Sequence, residues 1–550
     1  MTPRSLLAAL AALSLGACTP NVAPAPVSST SPDITEADLH ARLYAIADDS
    51  MMGRETGSEG AYKASAYVAA EFARLGLKPA GENGTWFQVV PFWTMASDPA
   101  SRIDVASSTL AVGHDFLVQA SPRVALDATP VIYGGPLDDT TRWIPVSAAT
   151  GKLVVIDVPS AQFRLPLPRW RGAAGVALVN LDRMAPERVA RLREGIPVAD
   201  TTSLLPVPML WISRATATTL LGADPAALPP GAVGPTPVRG SFGMRFTPVR
   251  WPARNVVAVL PGTDPLLKGE YVSLTAHHDH VGFDHAPVDH DSLRAFNRVI
   301  RPMGADSPPR EPTADEWRRI RSALDSLRRL HPPRPDSIRN GADDDGSGTA
   351  SILEIAERMS RGGAHPRRSI LFVSHTAEEA GLLGSKWYSD HPTVPRDSIV
   401  AEIDQDMVGR GTSSDMPRSG TGAGSDTYLE VVGAKRLSHT FGEMVEAANA
   451  RQPIPFVFNY EYDAPGHPLQ YYCRADHYSY ARYGIPSLAM SRGEHLDYHQ
   501  VTDEAQYISY RDLARVSRMV FDAAMSIANA DARPALDAPK QSDPHAPCRQ

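Results

Sequence analysis

The stretch SILFVSHTAEEAGLLGS, residues 369–385, runs from apolar residues straight into two adjacent glutamates, Glu378 and Glu379. Its first half reads as a buried strand. A carboxylate is costly to take out of water, so two in tandem at the end of such a strand need a reason. One reading is a helix cap, because Thr376-Ala377-Glu378-Glu379 fits the S/T-x-x-E box. The other is a division of labour, with one glutamate holding an ion and the other reacting.

The surrounding pattern sets the fold class. From Arg254 onward, strand-like runs at NVVAVL (255–260), EYVSLTA (270–276), SILFVS (369–374), SIVAEID (398–404) and PSLAMS (486–491) alternate with helical ones. The helical patterns include GTASILEIAERMS (348–360), RLSHTFGEMVEAANA (436–450) and YRDLARVSRMVFDAAMSIANA (510–530). This alternation predicts an α/β fold, a mostly parallel mixed sheet flanked by helices. Residues 35–110 open with another helical pattern in SEGAYKASAYVAAEFARLGLKPAG (58–81) and are expected to join 249–530 in one discontinuous domain.

Between them the texture changes. In residues 111–248, short β-branched runs such as TPVIYG, GKLVVIDV, AGVALVNL and PVPMLWIS alternate with Gly/Pro turns. That span reads as an inserted β-rich α+β unit. A second insertion, 283–340, is far longer than a usual loop. It carries TADEWRRIRSALDSLRRL (313–330), with a capping box at Thr313 and Glu316 and an apolar stripe at Trp317, Ile320, Leu324 and Leu327. This reads as a surface helix packed on the body, or alternatively as a lid at the mouth of a site.

Bulk composition narrows the function. The 550 residues carry a net charge of −8 and no basic block, which argues against nucleic acid as a partner. After Arg4, the apolar segment LLAALAALSLGA is too short to span a bilayer as a mature helix, and it ends in LGAC, residues 15–18. LGAC resembles a bacterial lipobox, which makes 1–18 a lipoprotein signal peptide, Cys18 a lipidated residue and the Pro/Ser/Ala-rich stretch 19–34 a disordered tether. The expectation is an exported protein of the bacterial envelope, anchored at the outer membrane through Cys18 or else periplasmic or secreted. Cys473 and Cys548 remain, and a bridge between them is open, although the polar tail 531–550 reads as disordered.

The strand ends carry the chemistry. Ligands in open α/β sheets bind where the carboxyl ends of the strands converge. His277-His278-Asp279-His280 follow one strand, Glu378-Glu379 another, Asp404 and Asp406 a third, and Glu494, His495, Asp497 and His499 a fourth. Asp343-Asp344-Asp345 stand before the helix at 348. So many acids on one face repel one another unless a cation neutralises them, and imidazole with carboxylate suits zinc and similar divalent ions.

The segments TAHHDH, NGADDDGSGTA, TAEEAGLLGS, EIDQDMVG, ADHYSYARYGIPSL and LDYHQVTDE resemble those of the M28 family of zinc peptidases, the co-catalytic aminopeptidase type. The inserted unit resembles the protease-associated (PA) domain that many members carry. The resemblance implies two Zn2+ ions, with Asp344 bridging, Glu379 and His499 completing one and His277 and Asp406 the other. It implies that Asp279 orients the His277 imidazole, that Glu378 is the general base and that Tyr472 stabilises the oxyanion. Two zinc ions about 3.5–4 Å apart hold a water between them, lower its pKa and polarise the scissile carbonyl. The implied function is hydrolysis of peptide or protein substrates, as an aminopeptidase or as a carboxypeptidase or dipeptidase on the same site. A non-catalytic receptor-like protein is the reading from a different class. His278, His280, His285 and His290 read as solvated loop histidines, and the His495/His499 pair lacks the Glu of an H-E-x-x-H site.

Overall fold

The computed structural model describes residues 30–158, 167–184, 186–199, 204–330, 332–411, 425–538 and 540–550. The expected signal segment, Cys18 and most of the tether lie outside them. Nine strands form the main sheet, whose middle four, Ser369–His375, Tyr271–His277, Ile399–Gln405 and Ser487–Ser491, run parallel in that spatial order. Antiparallel strands flank them, Arg254–Leu260 on one side and Tyr428–Val432 on the other.

The central runs are continuously apolar because both faces of the sheet are covered. Val256, Ala258, Ile370 and Phe372 pack against the helices Glu36–Ile46, Glu59–Arg74, Gly348–Arg361 and Tyr510–Asn529. The alternate residues Val257, Leu371 and Val373 turn to the opposite face, against Tyr388 and Tyr480. One residue of register slip would exchange the two sets, so the register is fixed from both sides.

The β-rich unit begins earlier than the expected boundary at 111. Its first strand is Trp93–Ser97, which pairs antiparallel with its last, Met244–Pro248, so that Trp93 faces Pro248. The chain therefore leaves the main domain and returns at neighbouring points. Arg102–Val105 and Ser108–Ala111 form a hairpin whose polar composition hid it in the sequence. A five-stranded sheet and a four-stranded sheet follow, each with buried clusters drawn from this unit. These clusters are separate from the one that packs on the main sheet.

The second insertion is more structured than expected. Phe283–Asp289 and Pro335–Ile338 pair at its base, and the helix His290–Ile300 precedes the anticipated one at Ala314–Arg328. The capping box at Thr313 and Glu316 forms, and Ile320 is buried against the first helix while Trp317 is exposed. Asn297 Nδ2 donates to the carbonyl of Leu496 at 2.9 Å, and the Ala305 N–H donates to that of Tyr498 at 3.0 Å. The insertion is thus fastened to the segment that carries His499.

Both chain ends depart from expectation. Ile34, within the expected tether, is buried, and Arg518 donates to its carbonyl at 2.6 Å. The expected disordered tail is instead held by a Cys473–Cys548 disulfide, and Tyr472 N–H donates to Gln550 Oε1 at 2.9 Å. Polar composition reads as disorder, but it carries no information about a covalent tether 75 residues away in sequence. Among the described residues no helix is long and apolar enough to cross a membrane.

Candidate metal centre

Four segments that follow the parallel strands, with the Ala342–Ser347 turn before the helix at Gly348, bring the predicted metal ligands and Glu378 together. Asp344 points one oxygen at each of two histidines: Oδ1 lies 3.3 Å from His277 Nε2 and Oδ2 lies 3.0 Å from His499 Nε2. Glu379 Oε2 stands 2.9 Å from His499 Nε2, and Asp406 Oδ1 stands 3.7 Å from His277 Nε2. Glu378 Oε2 is 3.9 Å from the same nitrogen. Close as they are, His277 Nε2, His499 Nε2 and Asp344 Oδ2 are buried without any hydrogen-bond partner. They face a shared space rather than one another.

That arrangement fits a divalent cation. The donor atoms of His280, Asp344, Glu379 and His499 lie within 4.8 Å of one another, as do those of His277, Asp345 and Asp406. Asp345, however, spends its oxygens on the backbone N–H groups of His277 (3.1 Å), Gly348 (2.9 Å) and Met407 (3.2 Å). Asp344 is therefore the carboxylate left to face His277. Among the described residues the ion-pair partners of Asp344, Glu378, Glu379 and Asp406 are histidines, with no lysine or arginine.

The electrostatics express the same shortage of positive charge. Burial pushes the Glu378 carboxyl well above its ordinary range; His277 opposes this, while Glu379, Asp406 and Asp476 add to it. Burial would lower His499, but Glu379 and Asp344 outweigh it and raise the imidazole to about 10. His277 is likewise held well above its usual value, against burial, by Asp279, Asp344 and Asp406.

The two glutamates sit in a turn, not at a helix start. Thr376 Oγ1 has no hydrogen-bond partner, and the next helix begins only at Leu383. Ala377 takes the left-handed conformation (φ 58°), and the N–H groups of Gly381 and Leu382 both donate to the Glu378 carbonyl at 2.8 Å. A strained non-glycine residue at this point turns two consecutive carboxylates toward one site. The capping-box reading fails here.

Other predicted residues land differently. Asp279 is buried beside His277, yet the hydrogen bond to His277 Nδ1 is made by its carbonyl at 3.2 Å, with carboxylate Oδ1 at 3.6 Å. That carboxylate accepts from Glu378 N–H at 3.1 Å and from Thr56 Oγ1 at 2.9 Å, so it steadies both loops. Tyr472 is not brought to the site. It is buried among Val432, Tyr478 and Ala481, while Tyr471 and Tyr498 line the pocket over Asp344, Glu378, Glu379 and Asp406.

Several contributors escaped the sequence reading. His278, His280 and His290 are buried rather than solvated, and the His285 side chain lies outside the described residues. His280 Nδ1 contacts Glu379 Oε1 at 2.8 Å, a bond made possible by Gly341, where a Cβ would stand 2.5 Å from the ring. His290 Nε2 reaches Asp336 Oδ2 at 3.0 Å and braces the insertion. Arg54 is fully buried and donates to the carbonyls of His278 and Gly341, both at 2.8 Å, tying two of the loops together. Asp503 accepts from the N–H groups of Asp343 at 3.0 Å and Asp344 at 3.2 Å. Only the inclusion of VTDE in the segment LDYHQVTDE pointed to Asp503.

Comparison with known proteins bears on this region. Residues 255–524 match the model of peptidase family M28. Leucine aminopeptidase 1 of Paracoccidioides brasiliensis (strain Pb18) is 30% identical over 204 residues, 35% of this chain and 47% of that protein. Leupeptin-inactivating enzyme 1 of Streptomyces exfoliatus is 40% identical over 77 residues, 14% of this chain and 18% of its own length. The chain thus spans about half the length, or less, of these curated relatives. Among solved structures, an aminopeptidase from Aneurinibacillus sp. strain AM-1 aligns at TM-score 0.48 and 18% identity, over 91% of this chain and 95% of that one. A zinc aminopeptidase from Bacillus subtilis aligns at TM-score 0.48 and 16% identity, over 90% and 95%. The span that matches the peptidase family M28 model, residues 255–524, carries every strand-end residue described above.

Proposed function

We propose that this chain is an exported metallopeptidase that removes N-terminal residues from peptides with two divalent cations, most simply zinc. The observation that carries the reading is the Asp344 carboxylate, split between His277 and His499, with the facing atoms buried and unpartnered. His499, Glu379 and Asp344 would hold one cation, and His277, Asp406 and Asp344 the other. Bound there, the cations would supply Lewis-acid polarisation of the scissile carbonyl and a water of lowered pKa.

The chain's own residues supply the rest. Among the described residues Glu378 pairs with no lysine or arginine, and it sits beside His277 at 3.9 Å, with a carboxyl whose affinity for protons is raised by burial. It takes the proton of the attacking water and returns it to the leaving amine. Asp279 fixes the Glu378 loop through the N–H of that residue. Tyr471 and Tyr498, rather than Tyr472, are the phenols within reach of a substrate in the pocket. The β-rich unit is assigned to the PA type on its sequence, and export with lipidation at Cys18 rests on LGAC.

The test has two arms. Glu378→Ala should keep bound metal and lose turnover, whereas Glu379→Ala should lose metal as well; equal metal content and equal activity in both would remove the assignment. Peptides blocked at the N-terminus should survive the metal-loaded protein while C-blocked ones are trimmed. Survival of the C-blocked set alone would make it a carboxypeptidase.

A further inference from the structure

Beside the metal centre, the pocket is built from the antiparallel pair Tyr428–Val432 and Ser487–Ser491, whose register sets Glu430 opposite Ser491. Val432, Ala489 and Met490 give it apolar walls. Two further carboxylates line it, Glu430 and Glu494, and neither belongs to the catalytic set. Glu430 occupies the middle of a strand whose five residues are all buried, a costly place for an acid. It keeps one polar partner, Tyr428 Oη, which donates to Oε1 at 2.7 Å. Glu494 is only 8% exposed, and its Oε1 has no hydrogen-bond partner.

The one base in the lining does not satisfy them. Arg474 gives its Nη2 to Asp306 of the insertion at 2.7 Å, and its Nη1 stays 4.0 Å from Glu494. Arg474 is therefore committed to Asp306, and among the described residues neither Glu494 nor Glu430 has a basic group within hydrogen-bond distance. A buried acceptor without a donor costs about 1–3 kcal/mol, so a folded protein that keeps one in a substrate pocket keeps it for a guest. A leucine side chain would leave that acceptor unpaired. An ammonium or guanidinium at the end of a methylene stem would satisfy it and still lie along the apolar walls.

We infer that this pocket receives the side chain of the substrate's N-terminal residue and selects a basic one, lysine or arginine, through Glu494 with Glu430 behind it. The inference rests on the aminopeptidase reading above. Burial first, then Glu430, Asp306 and Asp406, hold the empty Glu494 carboxyl up to about 9, and burial holds Glu430 up to about 7. A bound cation thus takes the place of protons already attracted to the site.

The experiment measures kcat/KM of the metal-loaded full chain on Lys-, Arg-, Leu- and Met-amides of one peptide. Lys and Arg should exceed Leu, and Glu494→Gln should lower the Lys/Leu ratio by about 10–100-fold, the range of a hydrogen bond to a charged group. Leu or Met preferred over Lys, with the ratio unmoved by Glu494→Gln, overturns the inference and leaves the aminopeptidase reading standing. An equal loss on all four substrates would assign the carboxylate to the α-ammonium and also overturn it. Failure to release any N-terminal residue would instead overturn the aminopeptidase reading. Should Glu494→Gln not fold, competition on the unmodified protein decides: free L-lysine should inhibit more strongly than L-leucine, and the reverse order refutes the proposal.

Discussion

Around Arg42, three fully buried glutamates meet one guanidinium: Glu71 and Glu357 contact its Nη atoms, and Glu354 Oε2 lies 2.9 Å from Nε. Arg74 and Arg361 reach Glu71 at 2.8 Å and Glu357 at 3.1 Å. At the strand ends, Asp344, Glu378, Glu379 and Asp406 gather just as closely, and only histidines face them. The first cluster is neutralised from within the chain and joins three helices of one layer. The second is left short of positive charge, which is what a cation-binding reading requires. Buried acids alone therefore do not mark a functional site; the second cluster is set apart by the absence of a lysine or arginine partner among the described residues.

This contrast can be broken or sharpened by four measurements. Glu378→Gln should reduce kcat by about 10²–10⁴, the range for a lost general acid–base, with metal content unchanged by elemental analysis. Arg42→Ala leaves Glu354 without a cation and Glu71 and Glu357 with only Arg74 and Arg361, and should cost about 3–5 kcal/mol in denaturant unfolding. Metal stoichiometry of the remaining folded protein should be unaltered, and loss of metal there would join the two clusters into one. His280→Ala removes the bond to Glu379 and should weaken metal binding by about 10–100-fold in chelator competition, while Arg42→Ala does not. Finally, the His499 imidazole, raised to about 10, must give up its proton before a metal can take Nε2. Because His277 and His499 are both held above the usual imidazole range and keep their protons at neutral pH, apparent metal affinity should climb with pH, by at least about tenfold per unit. A flat profile between pH 7 and 9 would mean that metal binding displaces no proton from either imidazole.

Legibility differed by the range of the interaction. The parallel strands were plain because burial on both faces writes continuous runs such as SILFV into the sequence. The acids and histidines at their ends were legible as a set, since each follows its strand directly. Roles set by distant partners were not. Arg54 meets Gly341 across 287 positions and His280 meets Glu379 across 99, and neither has a local pattern. A solvated loop histidine and a buried one have the same letter and the same neighbours. Tyr472 and Tyr471 show the finest limit, because both pack in one aromatic cluster and only Tyr471 also lines the pocket. The early strands at 93–111 were missed because Thr, Ser and Arg alternate through them without an apolar run.

Trp93 opposite Pro248 has a consequence for how such a chain can be rebuilt. Paired residues of an antiparallel ladder stand about 4.5–5.5 Å apart, a gap that a tight turn closes. Excising everything between them leaves two ends already in register for a hairpin, so the β-rich unit behaves as a cassette. Removing it, or exchanging it for that of a relative, should leave the main sheet folded and cost the contact of Arg191 with Glu55 at 3.8 Å, beside the Thr56 that holds Asp279.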